Sequence, residues 1–208
     1  MKKFGFLLLL IAVATMLGGT ALAQGDLDYY FTTYFSSNVA AAPDATLRII
    51  NDGYTGGTLY ANIFVLDDSE ELSECCACAV TPDGLLSENM RLNLTANPLT
   101  GTKPSRGVIK VVAATTGFTP VRGVAIPPFV TGSAGLHAWM THIQGTKVTL
   151  SAGNPVVPTV AGPYFTTETQ LADANPTTGE VQMLQTLCYY EIQLSGAPCT
   201  CQPEDFDY

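Results

Sequence analysis

Apolar and polar positions alternate in short runs along most of the chain. From Thr58 to Leu66, Leu59, Ala61, Ile63 and Val65 fall on one face of an extended segment, and Tyr60, Asn62, Phe64 and Leu66 on the other. Apolar side chains on both faces predict a strand covered from both sides. Leu47 to Ile50, residues 85–95 and Val108 to Ala113, with Lys110 as its only charge, predict further strands. So does Gly135 to Gln144, continued across Gly145 by Thr146 to Leu150, and so does Tyr164 to Thr169. Residues 24–42 carry the aromatic run Tyr29, Tyr30, Phe31, Tyr34 and Phe35, again of high strand propensity. Pro43-Asp44, Asn51-Asp52-Gly53 and Gly56-Gly57 punctuate these runs. In Thr81-Pro82-Asp83-Gly84, proline presets φ and Gly84 is expected to accept a positive one. Gly101 to Arg106 reads as a surface loop, Pro120, Pro127 and Pro128 interrupt the next region, and residues 151–176 are rich in Pro and Gly.

The period changes near the end. Thr177-Thr178-Gly179-Glu180 reads as a capping box, Thr177 bonding forward and Glu180 reaching back. Val181, Leu184, Leu187, Cys188 and Ile192 then recur at helical spacing, and Ser195-Gly196 with Pro198 stops the helix after about four turns. The fold class expected is mainly β: an antiparallel β-sandwich of immunoglobulin-like type with one late C-terminal α-helix.

Composition refines this picture. The chain has 208 residues, of which 13% are charged, about half the usual share. That excludes intrinsic disorder and a coiled coil as the dominant state. Lys2 and Lys3, the apolar run Phe4 to Leu17 and Ala21-Leu22-Ala23 form a secretory signal peptide, residues 1–23, cleaved between Ala23 and Gln24. The apolar run is too short to span a bilayer, and no later stretch is long and apolar enough. Residues 24–208 then form one domain, with 7 basic against 18 acidic residues and a net charge of −11. A field of that sign disfavours nucleic acid and anionic membrane surfaces as partners.

The six cysteines fall in two clusters: Cys75, Cys76 and Cys78, and Cys188, Cys199 and Cys201. In an oxidising compartment they are expected to form disulfides, for which 15 pairings exist. Bridges within a tight pair need unusual backbone geometry, so the bridges should cross between clusters. On a strand Cys76 and Cys78 share a face and Cys75 points the other way. The expected pairs therefore join Cys76 and Cys78 to Cys199 and Cys201, and Cys75 to Cys188 on the helix. The first such long bridge contributes on the order of 4–5 kcal/mol in the chain-entropy view. The alternative is a soft-metal site, in which C-C-x-C facing C-x-C supplies thiolates to copper(I) or zinc.

Other constellations are weaker. His137 and His142 are five residues apart, on opposite faces of a strand, and Trp139 is expected in the core beside His137. Gly132-Ser133-Ala134-Gly135 lacks the spacing of a nucleophile elbow, and no phosphate or dinucleotide fingerprint occurs. Asp67, Asp68, Glu70, Glu71 and Glu74 read as a solvated acidic loop, with calcium ligation or a short helix begun by Ser69 as alternatives. The N-terminal aromatic segment reads as a first strand, or as a strand donated to a neighbour's sheet.

Glu74-Cys75-Cys76-Ala77-Cys78 followed by Thr81-Pro82-Asp83-Gly84-Leu85 resembles a block found in a small family of secreted bacterial proteins. The stretches Pro43 to Asn51 and Thr141 to Gln144, and the late cysteine helix with its C-x-C tail, extend the resemblance over most of the mature chain. The resemblance implies secretion and a shared fold, and nothing catalytic. The expected role is accordingly a non-catalytic secreted, periplasmic or cell-surface structural or binding protein without a cofactor. It would act through a protein partner or self-assembly; the alternatives are an extracytoplasmic copper or zinc binder and a fibre subunit built by strand addition.

Overall fold

The computed structural model describes residues 29–37, 42–150, 158–174, 176–195, Cys199 and Cys201. The expected signal peptide, residues 1–23, and its expected cleavage point, Ala23–Gln24, lie outside the described residues. Among the described residues nine strands precede one α-helix: β1 Tyr30–Ser36, β2 Thr46–Asn51, β3 Leu59–Asp67, β4 Leu72–Val80, β5 Leu85–Asn89, β6 Arg106–Ala114, β7 Leu136–Leu150, β8 Pro158–Gln170, β9 Ala172–Asp173 and α1 Thr178–Ser195.

The strands form two antiparallel sheets. The first has the order β4-β3-β6-β1-β9 and the second β5-β2-β7-β8. Their inner faces share one core, built from Phe31, Ile63, Val111 and Cys78 on one side and Leu47, Ile49, Ala138 and Met140 on the other. The outer face of the first sheet is also buried. Tyr30, Phe64, Cys75 and Val112 pack there against Val181, Leu184, Cys188 and Ile192 of α1 and against Phe118. The molecule therefore has three layers, and β3 lies in the middle one, which is why its sequence is apolar on both faces.

The strand order is not that of an immunoglobulin domain, which keeps its first and second strands in one sheet. Here β1 and β2 lie in different sheets. Residues 85–95 divide: β5 ends at Asn89, and Met90–Leu94 form one π-helical turn whose Met90 and Leu94 enter the core. In the Thr81–Gly84 turn the positive φ falls on Asp83 (61°), at the third position, rather than on Gly84, and Gly84 N donates to Thr81 O (2.9 Å). Residues 68–71 form a turn and not a helix, clamped by the Asp67 carboxylate, which accepts from the N–H groups of Ser69 (2.8 Å) and Glu71 (3.0 Å). Asp68 pairs with Arg106 at 2.6 Å.

The helix is longer than its apolar pattern predicts, at 18 residues, or about five turns. Its cap forms in half: Glu180 N donates to Thr177 Oγ1 (3.1 Å). The Glu180 carboxylate does not reach back. It accepts from Tyr30 Oη and Lys110 Nζ, both at 2.6 Å, and so fastens the first helical turn to β1 and β6. Leu187 is exposed, whereas Gln185 and Glu191 are buried in its place. Trp139 lies half-buried beside His137 on the outer face of the second sheet, not in the core.

Candidate functional site

The six cysteines meet where β4 faces α1 and the C-terminal tail. Strand alternation turns Cys75 outward toward the helix and Cys76 and Cys78 inward. Cys75 is bonded to Cys188, Cys76 to Cys199 and Cys78 to Cys201, with Cα–Cα distances of 5.7, 5.2 and 5.5 Å. The last two bridges each span 123 residues, so the tail advances in step with β4, parallel to it. Cys199 N also donates to Cys75 O (3.2 Å). An edge strand presents unpaired backbone groups, and here the tail is stitched along the β4 edge.

The Sγ atoms of Cys76, Cys78 and Cys201 lie within 4.8 Å of one another. All six sulfurs are spent in disulfides, and soft metals bind thiolates, so this set becomes a donor set only after reduction. A cavity of about 100 Å³ opens between the cystines and Phe118–Pro120. It is well below the size of a site for a drug-sized ligand.

Two carboxylates belong to the same junction. Glu191 sits one helical turn beyond Cys188, is 3% exposed, and neither of its oxygens has a hydrogen-bond partner. Burial, and then the charge of Glu74, push its pKa up to about 8. Glu74, next to Cys75, is also buried, and its pKa is pushed up to about 7 by desolvation. The N–H groups of Ala96 (2.8 Å) and Asn97, with Lys103, oppose that rise. The acidic run thus divides, its first residues forming a hairpin turn and its last a buried acid.

The remaining candidates are kept apart. His137 pairs with Asp52 (3.2 Å) at the surface. His142 is buried, bonded through Nε2 to Thr169 Oγ1 (2.9 Å) and stacked on Tyr34 at 4.3 Å, and burial lowers its pKa. Ser133 Oγ faces its neighbour's carbonyl, Ala134 O, at 3.4 Å. A second cavity, of about 230 Å³, lies between Tyr29, Phe129–Gly132 and the start of α1.

The polar residues of the core belong to no sequence motif. Asn62 donates to Val112 O (3.0 Å) and accepts from Phe118 N (2.6 Å), and Gln185 accepts from Val130 N (2.8 Å). An isolated Asn in a strand covered on both sides is the available signal, since it must find partners there.

These features define a disulfide-locked, two-sheet β protein with a helix sealed onto one face, and the three bridges indicate an oxidising compartment. Among the described residues no helix is long and apolar enough to cross a membrane. No family model and no curated protein matches the chain. Among solved structures the "Crystal Structure of Thermotoga maritima 1070" matches at 11% identity, covering 72% of this chain and 95% of that one, with a TM-score of 0.39. A likeness at that level bears on neither fold nor function.

Proposed function

We propose that this is an exported, non-catalytic structural or binding protein that engages its partner by strand addition at β8. The observation that carries this reading is the state of β8. Among the described residues the strand pairs only with β7, at the edge of the second sheet, and every residue from Tyr164 to Gln170 is exposed. β7 pairs with β2 only as far as Met140 and still packs inward through His142 and Ile143; beyond these, among the described residues, β7 and β8 run on as a two-stranded ribbon. Such a ribbon is marginal in water and gains from a third strand. Exposed edge groups give affinity to that strand, and Tyr164 and Phe165 give it apolar side chains to pack on.

The aromatic segment at the N-terminus is not the donor, because β1 is paired with β6 along its length and with β9 at Phe31 and Thr32. The resemblance to secreted bacterial proteins supports export, as does the cystine content. The copper or zinc reading applies to the reduced protein alone, through Cys76, Cys78 and Cys201.

The test compares wild-type mature protein with Phe165→Lys/Thr167→Lys by light scattering and electron microscopy. Like charges along an edge block strand pairing. The reading expects assemblies larger than a dimer from the wild type and their loss in a variant of unchanged circular dichroism. Identical behaviour of the two would contradict it.

A further inference from the structure

Helix α1 carries two apolar stripes. One packs on the first sheet. The other faces solvent: Met183, Leu187, Tyr190 and Leu194 are 51%, 37%, 58% and 69% exposed. Their spacings of four, three and four residues place them at alternating d and a positions of a heptad, the pattern of a helix–helix seam. We propose that this seam is an interface at which α1 packs antiparallel against α1 of a second copy.

Charge favours a second copy. The chain carries a net charge of −9, so two copies repel wherever their acids meet. On α1 both acids are withdrawn from the seam: Glu180 is held by Lys110 and Tyr30, and Glu191 is buried. The adjoining loop, residues 118–130, has Arg122 as its only charge. It is fastened to the helix by Gln193, which donates to Val121 O (2.9 Å) and accepts from Gly123 N (2.8 Å), and by Tyr189, which donates to Val124 O (3.2 Å).

Area agrees. The seam and the exposed Val121 and Val124 beside it present on the order of 600 Å² of apolar surface per copy. A standard interface uses about 800 Å² per partner, the remainder being polar rim. A two-fold axis midway between residues 187 and 190 sets Leu187 opposite the second copy's Tyr190, and Met183 opposite its Leu194. Antiparallel helices also align their dipoles favourably. The Cys75–Cys188 bridge holds the helix in place, so little order is lost on pairing. This contact closes on itself at two copies, which separates it from the open strand addition at β8.

The experiment measures the mass of the mature, oxidised protein by size exclusion with light scattering, with circular dichroism as the control for folding. In the Phe165→Lys/Thr167→Lys background, where strand addition at β8 is blocked, the protein should have twice the chain mass at micromolar concentration, and adding Tyr190→Glu should make it monomeric with an unchanged spectrum. In that background the double variant Leu187→Lys/Tyr190→Glu should recover the dimer at low salt, because each lysine then faces a glutamate. A background protein that is itself monomeric overturns the proposal, including one that co-sediments with lipid vesicles, which would assign the seam to a membrane. A Tyr190→Glu variant that stays dimeric, or a double variant that stays monomeric, overturns it as well.

Discussion

Two of the sheet edges, β4 and β8, are treated in opposite ways. At one, β4 is bonded through three cystines to a helix and a tail, and its inner and outer faces are both buried. At the other, β8 is exposed on both faces from Tyr164 to Gln170 and, among the described residues, has β7 as its only partner strand. Neither arrangement follows from strand propensity, which is lowered in β4 by Glu74 and two alanines and in β8 by Gly162 and two prolines. The difference lies in what the rest of the chain places beside each edge. Covalent closure suits an edge that must stay monomeric, and an open ribbon suits one that meets a partner.

The largest effect should come from the closed edge. Replacing all six cysteines by Ala should cost at least about 4–5 kcal/mol in urea unfolding, because no bridge across 113 to 123 residues then restrains the unfolded chain. Leu184→Ala, in the interface between α1 and the first sheet, should cost about 2–5 kcal/mol by opening a cavity.

Stability should also depend on pH through Glu191. Its pKa is about 8 in the folded protein, against an ordinary value of 4.5. Between those values the folded state holds a proton that the unfolded state has released, so stability is greatest below the window and falls as pH rises through it. Glu191→Gln should flatten that slope, as read from urea midpoints on either side of the window. By contrast, Phe165→Ser on β8 should change stability by no more than about 0.5 kcal/mol, since the side chain is already half in water. A larger loss would mean that the ribbon is part of the core.

Much of the closed edge is legible in the sequence. The C-C-x-C pattern on an alternating strand assigns the outward cysteine to the helix and the inward pair to the tail, and the structure has those bridges. The two-faced β3 is legible because alternation displays both of its apolar rows at once. β8 is only partly so: Pro163 lies inside it, at the register shift opposite Gly145–Lys147, and within a strand proline is confined to edges and bulges. The two residues of β9 are too few to carry a pattern. On α1, periodicity finds apolar positions without saying which stripe is buried, so it turns Leu187 inward, whereas Gln185 and Glu191 occupy the core. Tertiary surroundings make that choice. Gln185 is held inward by the N–H of Val130, and Glu191 lies within reach of the charge of Glu74 at the cystine junction.

The covalent closure of β4 is tested most directly by the intact mass and peptide map of the non-reduced mature protein. Three bridges predict a mass six hydrogens below that of the reduced chain, and cross-linked peptides that join the 75–78 segment to both the helix and the tail. A mass equal to that of the reduced chain, with every thiol open to alkylation, would contradict it.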